Sequence, residues 1–275
     1  MPQRREKHGR RAVGIIQRMK KHNLLLASLA VASALCGGSG VFSQTTPAAS
    51  TAMSQVPFVG CASDGQVGPQ AAPTGKSKAV AISPAAALRL AYYKAQYGPG
   101  VLAPRGWHCF STYGSNGANL FVSPDAIDAK ALFSPDWKGF AGQVIEVSIS
   151  EGGTSGRFEV AKVIARVFPA YKQFAQNVIA EGIEPASDFP FGPYAKDRVT
   201  YRGTNTVEFE TPANTKGLGT DSRLLPNASP IDGVAIITGT DTDLVQLSAR
   251  VSAKDRDLIP LIVKQVESEA GAGAQ

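Results

Sequence analysis

The chain has 275 residues, with 28 lysines and arginines against 22 acids, but eight of those bases and only one acid fall in residues 1–40. The remaining part carries 20 bases against 21 acids, so its charge gives no argument for a nucleic-acid partner or a cationic membrane-binding surface. Of the three histidines only His108 lies beyond residue 40, which excludes a multi-histidine metal site in that part.

Arg4, Arg5, Lys7, Arg10, Arg11, Arg18, Lys20 and Lys21 precede an uncharged apolar run from Leu24 to Leu35, the pattern of a secretory leader. The run is 12 residues long and is followed at once by Gly37 and Gly38, well short of the roughly 20 residues that cross a bilayer. No stable transmembrane anchor is expected. Met19-Lys20-Lys21 is an alternative start to the same leader. Cleavage between Gly38 and Ser43 is preferred to lipidation of Cys36, because Leu35 stands where lipoprotein signals carry a small residue. Residues 1–43 are read as signal peptide and leader, and the mature protein as secreted or periplasmic.

Residues 44–55 are rich in Thr, Ser, Ala and Pro and read as a flexible spacer, with one folded domain from Val56 to Glu269 and a disordered tail over 270–275. Cleavage removes Cys36 and leaves Cys61 and Cys109 in an oxidising compartment, where a disulfide between them is expected. The competing reading is a free catalytic thiol.

Ser83-Pro84, then Leu88, Ala91, Tyr92 and Ala95, then Gly98, predict a helix with an N-cap, a first-turn proline and a glycine stop. Trp107–Tyr113 and Asn119–Val122 flank Gly114-Ser115-Asn116-Gly117 and predict a hairpin. Ile145, Val147 and Ile149 alternate with polar residues and predict a half-buried strand. Apolar residues from Val160 to Val178 predict a long helix that Pro169 kinks or splits. Two further hairpins follow, around residues 202–205 and 239–242, and a C-terminal helix begins near Leu258. The fold class is α+β, a single domain of mostly antiparallel sheet with helices packed on it.

On a strand His108 and Phe110 face one way while Trp107 and Cys109 face the other. Trp107, His108, Phe110 and Tyr113 form the candidate binding surface, together with the long loop Thr211–Pro230. Glu208 and Glu210, roughly 7 Å apart by strand rise, are read as the wet face of a strand rather than a glycosidase pair. Asp125 and Asp128 are read as helix-start acids. Gly217-Leu218-Gly219 lacks the Gly-Lys-Ser/Thr ending of a phosphate loop, and the aromatics of Phe189–Tyr194 are read as pinned to the core by prolines. No catalytic residue, cofactor or metal is assigned.

Val56-Pro57-Phe58-Val59-Gly60-Cys61, Ser63-Asp64-Gly65-Gln66 and Leu102–Phe110 running into Tyr113-Gly114-Ser115 resemble a group of exported bacterial proteins with no assigned activity. The resemblance covers about the first third of the mature part and carries no catalytic residue to transfer. The expectation is therefore an exported non-catalytic binding or envelope-associated domain for a protein or small-molecule ligand, without nucleic acid. The alternative is a hydrolase using His108 as general base with a nearby serine and carboxylate.

Overall fold

The computed structural model describes residues 53–127 and 129–272; the expected leader, residues 44–52, Asp128 and residues 273–275 lie outside the described residues. Twelve strands form two mostly antiparallel sheets, with five α-helices, among the described residues. This is the α+β class expected from the hairpin-rich sequence. None of the described helices is long and apolar enough to cross a membrane.

The smaller sheet has the order β3-β1-β4-β5. Strand β1 (Met53–Gly60) pairs antiparallel with β3 (Ser77–Ala81) along its first half, then parallel with β4 (Leu90–Lys94), which itself pairs with β5 (Val101–Pro104). Order thus begins at least three residues before Val56, and Met53–Gln55 belong to a strand rather than to the spacer. Cys61 is the single residue between β1 and β2 (Ala62–Gly65), where the chain passes from the small sheet to the large one.

The helix expected to reach Gly98 is a correction. Helix α1 (Pro84–Arg89) has its cap, with the Ser83 hydroxyl accepting the Ala86 N–H at 3.2 Å, but it stops after six residues. Leu90–Tyr93 is a continuous buried run that lies between β1 and β5 as a central strand covered on both faces. Burial from both sides outweighs the helical spacing, and Leu88, counted on the helix's apolar stripe, is 73 % exposed.

The larger sheet has the order β2-β6-β7-β8-β12-β11-β10-β9. The hairpin of β6 (His108–Gly114) and β7 (Gly117–Ser123) turns over Ser115-Asn116, and Gly117 has φ +132°. Its Cβ would stand 1.8 Å from the Ile149 carbonyl, so only glycine fits where the turn meets the next strand. Strands β8 (Val144–Ser150), β9 (Arg198–Tyr201), β10 (Thr206–Thr211), β11 (Ile231–Thr238) and β12 (Asp243–Arg250) complete it, all antiparallel to their neighbours. The expected hairpins at 202–205 and 239–242 are present.

One face of the large sheet packs on the small sheet and on α5 (Ile259–Ala272), burying residues such as Val122, Ile145, Val147, Leu247 and Ile262. Helix α5 includes Ala270–Ala272, which the expected disordered tail had contained; residues 273–275 lie outside the described residues. On the opposite face, α3 (Arg157–Val167) and α4 (Lys172–Ala180) cover the β10–β12 end. They are separated by a short 3₁₀ turn at Pro169–Tyr171, as a proline inside a helical pattern requires. The β6–β7 end of that face is covered by a separate cluster of Phe110, Phe121 and Leu132 from α2 (Ala129–Leu132), joined by Trp137 and Phe140.

Candidate functional site

Between those two apolar covers the opposite face of the large sheet is polar. Along β8, Glu146, Ser148 and Ser150 share the face turned away from Ile145, Val147 and Ile149. The register sets Asn119, Ser148 and Gln246 in one row across β7, β8 and β12, and Phe121, Glu146 and Ser248 in the next. This stripe floors a cleft of about 670 Å³. One wall is α3, through Glu159, Lys162 and Arg166, and another is the Thr211–Pro230 loop, through Lys216, Asp221 and Arg223.

Glu146 is the pivotal residue of the floor. It is 4 % exposed, and its Oε2 accepts the Arg223 backbone N–H at 2.8 Å. Burial pushes its carboxyl up to about 7, against the opposing pull of the Arg223 amide and guanidinium and the Ser222 hydroxyl. Among the described residues no side-chain cation is hydrogen-bonded to it, while the Ser222 hydroxyl and, through space, the Arg223 guanidinium act on it. A buried carboxyl near neutral pH inside a cleft is the arrangement in which a bound group changes the protonation state.

The walls are internally tied. Tyr194 donates its hydroxyl to both oxygens of Asp221, at 2.8 and 2.9 Å, and Arg166 lies over its ring at 3.9 Å. Burial, then Asp221, pushes the phenol up to about 12. Lys162 bridges Glu159 and Glu184, each at 3.1 Å. Lys216, Arg223 and Asp188 line the cleft without a salt bridge among the described residues.

The loop keeps its shape through buried Leu218 and Leu224 and through Asp197. Asp197 accepts the Leu218 N–H at 2.7 Å and the Thr211 hydroxyl at 2.9 Å, while Thr211 accepts the Gly219 N–H at 3.0 Å. The amides of Gly217-Leu218-Gly219 are thus directed at the protein's own side chains. At the far end of the sheet Arg250, 1 % exposed, donates to the carbonyls of Phe140, Ala141, Gly142 and Leu225 and ties this loop to the segment before β8.

The four residues proposed as a binding surface do not form one, which is a correction. Phe110 is buried against Phe121 and Leu132. Trp107 is half-buried on the opposite core, beside Cys109, and its N–H donates to the Tyr93 hydroxyl at 3.1 Å. Tyr113 stacks at 4.5 Å on Tyr97 and donates to the Gly68 carbonyl. Only His108 is exposed; it lines none of the described cavities and its imidazole makes no hydrogen bond among the described residues. The two-faced strand itself is as expected, and Cys61 and Cys109 form the disulfide, with Cα atoms 5.4 Å apart.

Glu208 and Glu210 are held in ion pairs with Arg202 and Arg198 at 2.8 and 2.9 Å, consistent with a wet strand face. Of the aromatic segment, Phe189 is buried under α3 and α4, Phe191 is 49 % exposed and Tyr194 belongs to the cleft. Asp128 lies outside the described residues, and Asp125 stands ahead of the short α2. Among the described residues no group of three or more His, Cys, Asp or Glu is arranged to hold a metal ion.

Sequence reasoning placed Glu146 on the wet side of a half-buried strand. Alternation marks which side it faces but carries no signal that α3 and a loop 77 residues away cover that side. The Thr211–Pro230 loop was the one feature whose length pointed to the site. No protein-family model, curated protein or solved structure matches this chain, so the chemistry of the cleft is read from its own residues.

Proposed function

We propose that this chain is an exported single-domain binding protein without catalytic machinery, and that its ligand sits in the cleft between the polar sheet stripe, α3 and the Thr211–Pro230 loop. The observation that carries this reading is the buried Glu146 carboxyl, which faces a cleft of about 670 Å³ with no side-chain cation hydrogen-bonded to it among the described residues. That volume lies within the range of about 300–1,000 Å³ typical of small-molecule sites. The mixed acids, bases and amides around it suit a hydrophilic ligand. Export is supported by the leader pattern and by the Cys61–Cys109 bridge, a pairing that persists in oxidising compartments.

The test is a panel of small polar fragments followed by backbone NMR. Shifts concentrated on residues 116–119, 146–150 and 216–223 are expected; shifts centred on His108, or none from the whole panel, would overturn the reading.

Hydrolysis takes no support from His108, which stands outside the cleft. It takes some from Glu146, since a carboxyl near 7 is suited to general acid–base work. Turnover of ester, peptide or glycan substrates that Glu146→Gln abolishes would establish that second reading in place of the first.

A further inference from the structure

Glu146 is the most buried charged group lining the cleft, and among the described residues no side-chain cation hydrogen-bonds to it. The charged side chains facing it fall into two sets. On α3, Lys162 is committed to Glu159 and Glu184, and Arg166 to the Tyr194 ring and the Gly192 carbonyl. Across from α3, Asp221 is committed to the Tyr194 hydroxyl, which leaves Lys216 and Arg223 on the loop and Asp188 after α4 without ion pairs. The open cleft therefore presents one deep acid, two exposed cations on the loop and one exposed acid, Asp188, that are without ion pairs among the described residues. A ligand of a single charge would satisfy one end and oppose the other.

We propose that the cleft takes a zwitterion of short-peptide size, its ammonium group against Glu146 and its carboxylate against Lys216 and Arg223. This rests on the reading of the cleft as the ligand site and adds the ligand's class. The rest of the floor fits that class. Asn119 is half-buried with its amide unbonded among the described residues, and Ser148 and Gln246 reach backbone carbonyls only at 3.5 Å. These donors and acceptors are free to meet peptide groups. The volume exceeds that of a single small amino acid and matches two or three residues. An ammonium beside Glu146 favours the ionised carboxylate, so binding releases a proton when the free protein holds Glu146 protonated.

The experiment uses tri-alanine, N-acetyl-tri-alanine and tri-alanine amide, measured by calorimetry and by NMR on the mature protein. Removing either ligand charge is expected to weaken binding about tenfold or more. Glu146→Gln should erase the difference between the free and the acetylated N-terminus, and Lys216→Gln with Arg223→Gln should erase the difference between the free and the amidated C-terminus. Calorimetry in two buffers at pH 6 should show release of up to about one proton per peptide, passing through zero to net uptake by pH 8.5, where the peptide's own α-amino group, with a pKa of about 8, must gain a proton to bind as an ammonium.

Equal binding of the three peptides, proton uptake at pH 6, or fragments that bind the cleft while no peptide does would overturn the zwitterion and leave the cleft as the ligand site. Silence of the cleft towards both peptides and fragments would overturn both.

Discussion

The Glu146 carboxylate accepts the backbone N–H of Arg223 at 2.8 Å, joining the central strand of the large sheet to a loop 77 residues further along the chain. That one bond closes the floor of the cleft against its wall. It also places an ionisable group where water would otherwise solvate it, and this gives the fold a pH dependence.

Glu146 is raised from 4.5 to about 7 by burial. The native state then binds more protons than the unfolded chain, so stability from this group is full below about pH 4.5 and is lost progressively as pH rises through about 7, by roughly 3 kcal/mol. Urea denaturation of wild type and Glu146→Gln at pH 5 and pH 8 checks this. The variant should gain on the wild type by about that amount between the two pH values; parallel pH profiles would contradict it.

Cys61 and Cys109 are 48 residues apart and bridged. Replacing both by serine should lower the unfolding free energy by about 4 kcal/mol, most of it through the greater freedom of the unfolded chain. Equilibrium denaturation of the double variant beside the oxidised wild type measures it, and a loss below about 1 kcal/mol would show that the bridge is incidental.

His108 and Phe110 occupy the same face of β6 but opposite environments. Phe110→Ala should destabilise by about 3 kcal/mol through the cavity left beside Phe121 and Leu132, whereas His108→Ala should change stability by less than about 0.5 kcal/mol. Thermal melts of the two variants separate the residues cleanly, and a large effect of His108→Ala would return attention to that strand end.

Among the described residues Arg250 has no carboxylate partner, and it is held by four backbone carbonyls. Arg250→Met keeps much of the volume but leaves those acceptors short of a donor, and should destabilise by about 2 kcal/mol or more. Hydrogen exchange should quicken first at the Leu225 amide, which pairs with the Phe140 carbonyl; unchanged exchange there would argue against the strap.

Much of this architecture is written locally. Gly117 and the Ser115-Asn116 turn announce β6 and β7, Pro169 announces the break between α3 and α4, and the alternation of Val207, Phe209 and Thr211 announces β10. Leu90–Tyr93 was misread because a short apolar run is compatible with both helix and strand, and the sandwiching partners β1 and β5 decide between them. The site was harder still. Glu146, Arg166, Tyr194 and Arg223 come from four separate stretches, and what makes them a site is the shared loss of water, which depends on tertiary cover rather than on spacing.

Strand β2 is a four-residue edge strand lying parallel to β6, and the sulfur bridge fastens the chain just before it. In a reducing environment that fastening is gone, and the β6 backbone it shields becomes an open template for the strand of a neighbouring molecule. Reduced protein should therefore associate edge to edge more readily than the bridged form, a difference that light scattering of the two would show.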